Sequence, residues 1–262
     1  AAGGSERPDD SGAQLGVRAG CKHRVRDGVL QYVMITLYHC VSARSFRVLW
    51  MLEEIGLPYD LRMLAFPPRV HHKDFLALNP RGTVPLFIDG AARMTESAAI
   101  CQYLAQQYAP ATFGVAPDES YYGDYLNYLH MSDATLTFPQ TLVLRYSRFE
   151  LPEHRQPQVV EDYGKWFHAR LRTLEPQLAA HPFLCAERFT AADVAVGYAL
   201  MLAELLGLHE RFTPAVAAYW LRLSARDGYQ RALVVQEQAA RGQGVSPRPA
   251  SEPPGDMLIG KV

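Results

Sequence analysis

The sequence has little cysteine and no excess of charge of either sign. Its four cysteines, Cys21, Cys40, Cys101 and Cys185, are far apart and form neither a CxxC pair nor a zinc-ligand spacing. This favours reduced thiols over a disulfide framework or a metal site. Lysine and arginine total 26 against 27 aspartates and glutamates, so no overall field recruits nucleic acid or acidic lipid. We therefore expect a cytoplasmic protein with no nucleic-acid partner.

Long apolar runs are also absent. No stretch reaches the roughly 18 consecutive apolar residues that a transmembrane helix needs, so we expect no membrane partner. What the chain has is ample material for a core, because 48% of its 262 residues are hydrophobic and 11% are aromatic. A chain of this size can bury one large core or two smaller ones.

The two ends of the chain differ in composition from the rest. Residues 1–33 are rich in Gly, Ala, Arg and Asp, with no apolar periodicity and no signal-peptide core. We expect this segment to be disordered and to be an extension upstream of a start at Met34. Residues 242–262 are rich in Pro, Gly and Ser, and are expected to be a mobile tail.

Residues 34–110 alternate between strand and helix patterns. Strand patterns cover 34–39, 59–64, the "TVPLFIDG" stretch and 91–95, and helix patterns cover 44–55, 71–78 and 96–108. The Asp89-Gly90 pair indicates a hairpin between the last two strands. The order is therefore βαβ followed by αββα.

The strand signal ends after a linker at residues 111–118. Helical periodicity then covers residues 119–241, in segments 119–148, 153–180, 191–206 and 213–240. Thr190 and Asp193 in "FTAADV" have capping-box spacing, which we interpret as structural. The predicted fold class is an α/β domain followed by an all-helical domain.

Three polar groups stand in the turn between the first strand and the first helix. Cys40, Ser42 and Ser45 all lie close to the start of that helix, where the helix dipole lowers the pKa of a thiol or hydroxyl. Ser97 has the position of a helix N-cap, and first-turn amides with a capping hydroxyl can hold a carboxylate. Glu96 adds an acceptor for an ammonium group.

Four stretches carry a resemblance to a known family: "SARSFRVLWMLEEIGLPYD", "FLALNPRGTVPLFIDG", "MTESAAICQYLAQQY" and "RFTAADV". In this order and spacing they resemble the cytosolic glutathione S-transferases, over residues 34 to about 240. The match is closest to bacterial serine-type members that are similar to the zeta and tau classes. The resemblance implies a thioredoxin-like first domain, βαβαββα with a mixed sheet and a cis-proline, followed by the helical domain.

The resemblance assigns roles to several residues. It implies that Ser42 is the catalytic hydroxyl, donating to the sulfur of glutathione as cosubstrate. Pro85 is implied to be the cis-proline that leaves the Val84 backbone free to pair with the tripeptide, and Glu96 and Ser97 are implied to hold the γ-glutamyl end. For the glycine carboxylate the candidates are Arg69, His71, His72 and Lys73, of which Lys73 and His71 are preferred. No metal is expected.

The resemblance also implies partners and alternatives. A small hydrophobic electrophile is expected in a pocket beside the long helix, with Tyr125, Tyr128, Leu129 and Ser132 as candidate lining residues. A homodimer is expected, and detoxification is the typical role. The alternatives are isomerase or dehalogenase chemistry with the same thiolate, a glutathione-dependent thiol oxidoreductase that uses Cys40, and a non-catalytic interaction module.

Overall fold

A computed structural model describes residues 34–185 and 187–249, together with the backbone of residues 24–26 and 29–31. The chain divides into two compact units, residues 1–32 and 33–262. In the first unit, strands β1 (Arg24–Arg26) and β2 (Val29–Gln31) pair antiparallel. The rest of the segment predicted to be disordered lies outside the described residues.

A four-stranded sheet forms the centre of the N-terminal half of the second unit. Its strands are β3 (Ile35–His39), β4 (Tyr59–Met63), β5 (Leu86–Asp89) and β6 (Ala92–Met94), in the order β4-β3-β5-β6. β3 runs parallel to β4 and antiparallel to β5. The parallel pair needs a crossover helix, whereas β5 and β6 are joined by a tight hairpin at Gly90, with φ +60°. The predicted mixed sheet is confirmed.

The helices of this half flank the sheet. They are α1 (Phe46–Ile55), α2 (Pro68–His71), α3 (Phe75–Leu78), α4 (Ser97–Tyr108) and α5 (Pro110–Phe113). Helix α1 ends at Gly56, whose φ of +75° suits a residue without a Cβ. The prediction of one helix over 71–78 was wrong, because His72 leaves the helical conformation and its Nε2 accepts the Ala65 N–H at 2.9 Å.

The second half is helical, as predicted. A continuous helix contains α6 (Tyr122–Met131), a π-helical segment (Ser132–Thr137), α7 (Phe138–Leu144) and a second π-helical segment (Arg145–Phe149). After it come α8 (Pro157–Leu171), α9 (Glu175–Ala180), α10 (Ala191–Leu205), α11 (Pro214–Ser224) and α12 (Asp227–Gly242). Short 3₁₀ turns occupy Pro152–His154, Arg172–Leu174 and Leu208–Arg211.

Two predictions for this half need correction. The segment predicted as helical over 153–180 forms two helices, α8 and α9, with the 3₁₀ turn Arg172–Leu174 between them. The pattern over 213–240 indicated a single helix, but α11 and α12 are separate because Arg226 is extended, with φ −68° and ψ 140°. The Arg226 guanidinium donates to both carboxylate oxygens of Glu54 on α1, at 2.8 and 2.9 Å. The break between the helices therefore places an arginine where it fastens α12 to α1.

The core is shared between the two halves of this unit. Trp50 of α1 is fully buried and lies against Gly197 of α10 and the ring of Tyr229 of α12. A Cβ at position 197 would come within 2.7 Å of the Trp50 ring, so only glycine permits this approach. Helices α1, α10 and α12 are thereby packed closely behind the turn that follows β3.

The capping box at the start of α10 is confirmed. Ala192 N–H donates to Thr190 Oγ1, and Thr190 N–H donates to Asp193 Oδ2 at 2.8 Å. Asp193 is fully buried, which raises its pKa, and it also accepts from Tyr219 and the Leu184 N–H. The box therefore ties α10 to α11 and to the segment before it.

The first residues of the predicted mobile tail are held against the sheet. Gln243 accepts the Met63 N–H at 2.9 Å and donates to the Leu61 carbonyl at 2.8 Å. The tail beyond Pro249 lies outside the described residues. Within the described part of the chain, no helix is long and apolar enough to cross a membrane.

Candidate active site

The turn between β3 and α1 has an unusual backbone at Ser42. Its φ is +54°, the left-handed region that residues with a Cβ seldom occupy. The Ser42 N–H donates to Gln236 Oε1 of α12 at 3.0 Å, and Tyr198 of α10 donates to the Ser42 carbonyl at 3.4 Å. Two helices of the second half thus fix the conformation of this turn.

The Ser42 N–H also determines the direction of the hydrogen bonds behind it. Because a backbone N–H is always a donor, the Gln236 atom that faces it is the carbonyl oxygen. That oxygen also lies 3.1 Å from His39 Nε2, which must therefore carry the proton of the neutral ring. His39 Nδ1 is then an acceptor, and the Ser45 hydroxyl donates to it at 2.7 Å. The proton of Ser45 is committed to His39.

His39 remains neutral over the physiological range. It is fully buried, and burial lowers its pKa to about 4, although the bond to Gln236 opposes this. A neutral ring is required for the arrangement above, since a doubly protonated ring has no acceptor nitrogen.

The three polar groups of the turn can now be distinguished. Cys40 is fully buried, and burial raises the pKa of its thiol, which makes a thiolate there unfavourable. Ser45 is buried and its proton is bound to His39. Ser42 is half-exposed, and its Oγ receives the Gln236 Nε2 hydrogen at 3.4 Å. Ser42 therefore keeps its own proton for an acceptor outside the protein.

The start of α1 offers further donors beside Ser42. The N–H groups of Arg44 and Ser45 have no acceptor among the described residues, as expected at a helix N-terminus. The Arg44 side chain is partly exposed and is held by Asp133 at 3.1 Å and Thr141 at 3.1 Å. This end of the helix is suited to an anion.

Asp133 is the counter-ion of two arginines. Burial would raise the pKa of its carboxyl, but Arg47 and Arg44 together outweigh this and the pKa lies below its usual value. Asp133 stands at the start of the first π-helical segment, and such segments often occur at functional sites. The carboxylate stays ionised at neutral pH and fixes the Arg44 side chain beside the start of α1.

Arg47 is a buried arginine of this region that the sequence patterns did not single out. It is fully buried on α1, and its guanidinium lies 4.5 Å from the centre of the Tyr198 ring. Its hydrogen-bond acceptors are the Ala195 and Ser132 carbonyls, Thr137 Oγ1, Ser97 Oγ and Asp133 Oδ1. The available signal was a charged residue within the apolar stretch "SFRVLWML".

Ser97 occupies a different position in its helix from the one predicted. Glu96, with an extended backbone, is the N-cap of α4, and Ser97 is the first helical residue. The prediction that Ser97 is the N-cap was therefore wrong. Its Oγ accepts from Arg47 Nη1 at 2.9 Å, and its N–H has no acceptor among the described residues. Like Ser42, Ser97 receives a hydrogen bond from a buried donor and retains its own proton.

The neighbouring backbone at Val84 is open. The Val84–Pro85 peptide is cis, as predicted, and β5 begins only at Leu86. The N–H and C=O of Val84 form no hydrogen bond with any described residue. Glu96 is exposed and pairs with Arg81 at 3.5 Å.

The cations predicted for the glycine carboxylate lie on or after α2. Arg69, His71 and Lys73 are exposed. His72 is less exposed, and its Nε2 is occupied by the Ala65 N–H. The first three therefore have side chains available to a ligand.

The residues predicted to line the electrophile pocket are mostly interior. Tyr125, Leu129 and Ser132 are buried, and the Ser132 hydroxyl donates to the Leu129 carbonyl at 2.6 Å. Tyr128 is only partly buried. A ligand would reach the three buried side chains only if the packing around them opened.

A cavity of about 400 Å³ opens beside Ser42, between α10, α12 and the start of the tail. Its walls are largely apolar, with two carboxylates. They are formed by Val41, Ser42, Met201, Glu204, Leu205, Tyr229, Leu233, Gln236, Glu237, Pro247 and Pro249. No group of three or more metal-ligating side chains exists in the part of the chain that the structure describes.

Comparison with known proteins identifies the family of this chain. Residues 41–107 match the family model "Glutathione S-transferase, N-terminal domain". Glutathione S-transferase 3 of Zea mays is 30% identical over 206 residues, covering 74% of this chain and 90% of the relative. The chain belongs to the glutathione S-transferase family. The matched segment contains the Ser42 turn, the Val84–Pro85 peptide and the Glu96–Ser97 pair.

Solved structures of this family share the fold. The glutathione transferase URE2P6 from Phanerochaete chrysosporium, solved with oxidized glutathione, is 26% identical with a TM-score of 0.69. It aligns over 79% of this chain and 97% of its own. A theta class enzyme from Xanthomonas axonopodis pv. citri, solved with glutathione bound, is 26% identical with a TM-score of 0.64, over 76% and 96% of the two chains. This family member is thus similar to glutathione-binding transferases over nearly their full length.

Proposed function

We propose that the Ser42 hydroxyl of this protein stabilises the thiolate of bound glutathione, which then attacks a small hydrophobic electrophile. The protein is a glutathione transferase with glutathione as cosubstrate, as its family membership establishes. The sulfur gives up its proton to solvent, and its lone pair forms a bond to an electrophilic carbon. The bond from that carbon to its leaving group, a halide in an aryl halide, breaks, and the halide ion leaves with the electron pair. The reacting atom belongs to the cosubstrate, and the protein supplies hydrogen bonds and position.

One observation carries the assignment of Ser42. Both Ser42 and Ser97 receive a hydrogen bond on oxygen from a donor in the interior, Gln236 and Arg47. Each hydroxyl can therefore donate its proton to an anion. An O–H donor favours the charged form of the group that accepts it and lowers its pKa. We assign the thiolate to Ser42 and the γ-glutamyl carboxylate to Ser97.

The rest of the tripeptide has a consistent path. The unpaired Val84 N–H and C=O suit pairing with an extended peptide. Glu96 is available to the α-ammonium group after exchange from its exposed pair with Arg81. Lys73 and His71 are the proposed partners of the glycine carboxylate, with Arg69 as a further exposed cation. Arg44 and the free amides of the α1 N-terminus add positive potential at the sulfur end.

The electrophile is proposed to bind in the cavity beside Ser42. Val41, Met201 and Leu233 supply an apolar wall, while Glu204 and Glu237 disfavour an anionic substrate. Tyr128 of α6 does not line this cavity and stays a predicted contact of the electrophile. We also propose a cytoplasmic homodimer, on family membership alone, which light scattering of the purified protein would test.

The alternatives fit the geometry less well. A thiol oxidoreductase needs an accessible thiolate, but Cys40 is fully buried and burial raises its pKa. A non-catalytic module would not need two serine hydroxyls with free protons at the ends of two helices. The site therefore favours transfer chemistry.

The test is a Ser42→Ala variant with glutathione alone and then with a chromogenic aryl halide. Calorimetry should show retained glutathione binding, because Ser42 is not among the tripeptide anchors. The ultraviolet thiolate absorbance of bound glutathione should titrate about one pH unit higher, and kcat/KM near neutral pH should fall about tenfold. Unchanged thiol ionisation in Ser42→Ala would refute this role, and absent binding in the wild type would refute the function.

A further inference from the structure

We propose that Gln236, on the C-terminal helix α12, is a positioning residue that orients the hydroxyl proton of Ser42 towards the glutathione sulfur. This inference rests on the proposed function of Ser42. Gln236 does not touch the tripeptide in this scheme. It acts by occupying the Ser42 oxygen as a donor, so that the hydroxyl proton points outward.

The side chain of Gln236 is well placed for this task because it is buried and both its oxygen and its nitrogen contact the turn. It is 4% exposed. Its carbonyl oxygen accepts the Ser42 N–H at 3.0 Å and faces His39 Nε2 at 3.1 Å, while its amide nitrogen faces Ser42 Oγ at 3.4 Å. All of these contacts join residues more than 190 positions apart in sequence.

The orientation of the amide is locked from both sides. If the amide were flipped, its NH₂ group would face the Ser42 N–H, and two donors would oppose each other. The same flip would also remove the acceptor of His39 Nε2–H. One chain of hydrogen bonds therefore runs from the Ser42 N–H through Gln236 and His39 to Ser45. The Ser42 N–H can only donate, and this fixes the direction of every other bond in the chain.

The key perturbation is Gln236→Glu, which keeps the shape but replaces the donor by an acceptor. A carboxylate oxygen beside Ser42 Oγ would take the hydroxyl proton for itself, and the sulfur would lose its donor. We expect the thiol pKa of bound glutathione to rise by about one unit, with about tenfold less thiolate below that pKa. The matched control is Gln236→Met, which has similar length and no hydrogen-bonding group, so the Ser42 proton remains available to sulfur.

A new carboxylate could also act on the thiolate simply by repulsion. Charged groups already face the turn, namely Arg44 with Asp133 from one side and Glu204 with Glu237 around the cavity. None of these four side chains is replaced in any variant. His39 also faces position 236 at 3.1 Å, and a carboxylate there would favour its protonated ring, an electrostatic change that persists when Ser42 is replaced. To separate the two effects, Gln236→Glu is combined with Ser42→Ala, because a shift transmitted through the Ser42 proton vanishes in that background whereas repulsion persists.

The readouts are the thiolate titration of bound glutathione and the pH profile of kcat/KM. Gln236→Glu should raise the thiol pKa by more in the wild-type background than in the Ser42→Ala background. Gln236→Met should raise the thiol pKa less than Gln236→Glu does, although it lowers stability more. An equal shift in both backgrounds, or a larger shift in Gln236→Met, would overturn the proposal. If Ser42→Ala alone leaves the thiol pKa unchanged, the proposed function of Ser42 has failed instead.

A measurement on the wild-type protein tests the same series of hydrogen bonds. Nitrogen-15 NMR of the His39 ring should show a neutral ring with its proton on Nε2. A proton on Nδ1 would mean that the Gln236 amide has the opposite orientation, and the proposal would be wrong.

Discussion

Acidification should destabilise this protein through one buried histidine. His39 is fully buried in the turn network, with no charged partner to stabilise an imidazolium, and burial lowers its pKa from 6.5 to about 4. The folded state therefore keeps the ring neutral at pH values where the unfolded chain protonates it. Between these two values the unfolded state binds more protons than the folded state.

The sign and size follow from proton linkage. Stability rises with pH wherever the unfolded state binds more protons, so the free energy of unfolding falls as pH drops below about 6.5. The slope is about 1.4 kcal/mol per pH unit. The full contribution of His39 is about 3 kcal/mol, lost by the time pH reaches the folded pKa of about 4. Above pH 6.5 the ring is neutral in both states and contributes no slope.

The assay is urea unfolding from about pH 7 to about pH 4.5, for the wild type and for His39→Gln. Glutamine can accept from Ser45 and donate to Gln236, so it keeps both contacts but cannot titrate. Subtracting one free energy of unfolding from the other removes the contributions that the carboxylates and the other histidines make to both proteins. It should change by about 2 kcal/mol between pH 6.5 and pH 5. Parallel stability curves over this range would refute the conclusion that His39 is neutral and buried.

Three further changes test other contacts. Arg47→Met removes a fully buried guanidinium, with its bonds to the partly exposed Asp133 and to four further acceptors. It should lower the free energy of unfolding in urea by about 3 to 5 kcal/mol. Arg44→Met at the same carboxylate should cost less than about 1 kcal/mol, and equal losses would contradict the burial argument. Gly197→Ala places a Cβ against Trp50. Calorimetric melting should show a loss of about 1 to 3 kcal/mol in the free energy of unfolding. An unchanged melting temperature would mean that α1 and α10 can move apart at this point. Cys40→Ser should leave glutathione transfer to an aryl halide nearly unchanged, and a loss of turnover with the fold intact would favour the oxidoreductase alternative.

The sequence was sufficient for the architecture because its periodic signals are strong. The mixed sheet, the cis peptide at Pro85 and the capping box at Thr190 all follow from local patterns or from the family resemblance. Local signals were also enough to predict that the turn containing Ser42 holds the reactive group. They could not choose between its three polar groups on physical grounds alone.

The missing information was tertiary. Gln236 looks like an ordinary polar residue of an amphipathic helix, and Arg47 looks like an interruption of an apolar stripe, until α10 and α12 are packed against α1. The break between α11 and α12 was missed for a similar reason, since Arg226 leaves the helix to reach Glu54. Hydrogen-bond direction depends on partners from distant parts of the chain, and no spacing rule encodes it.

The bond between Ser42 and Gln236 also bears on how the protein is made. The two residues are 194 positions apart, and a ribosome adds about 5 to 20 residues per second. Roughly 10 to 40 s therefore pass between the synthesis of Ser42 and the synthesis of Gln236. In the scheme proposed above, a chain truncated before α12 would have Ser42 without the amide that orients its hydroxyl.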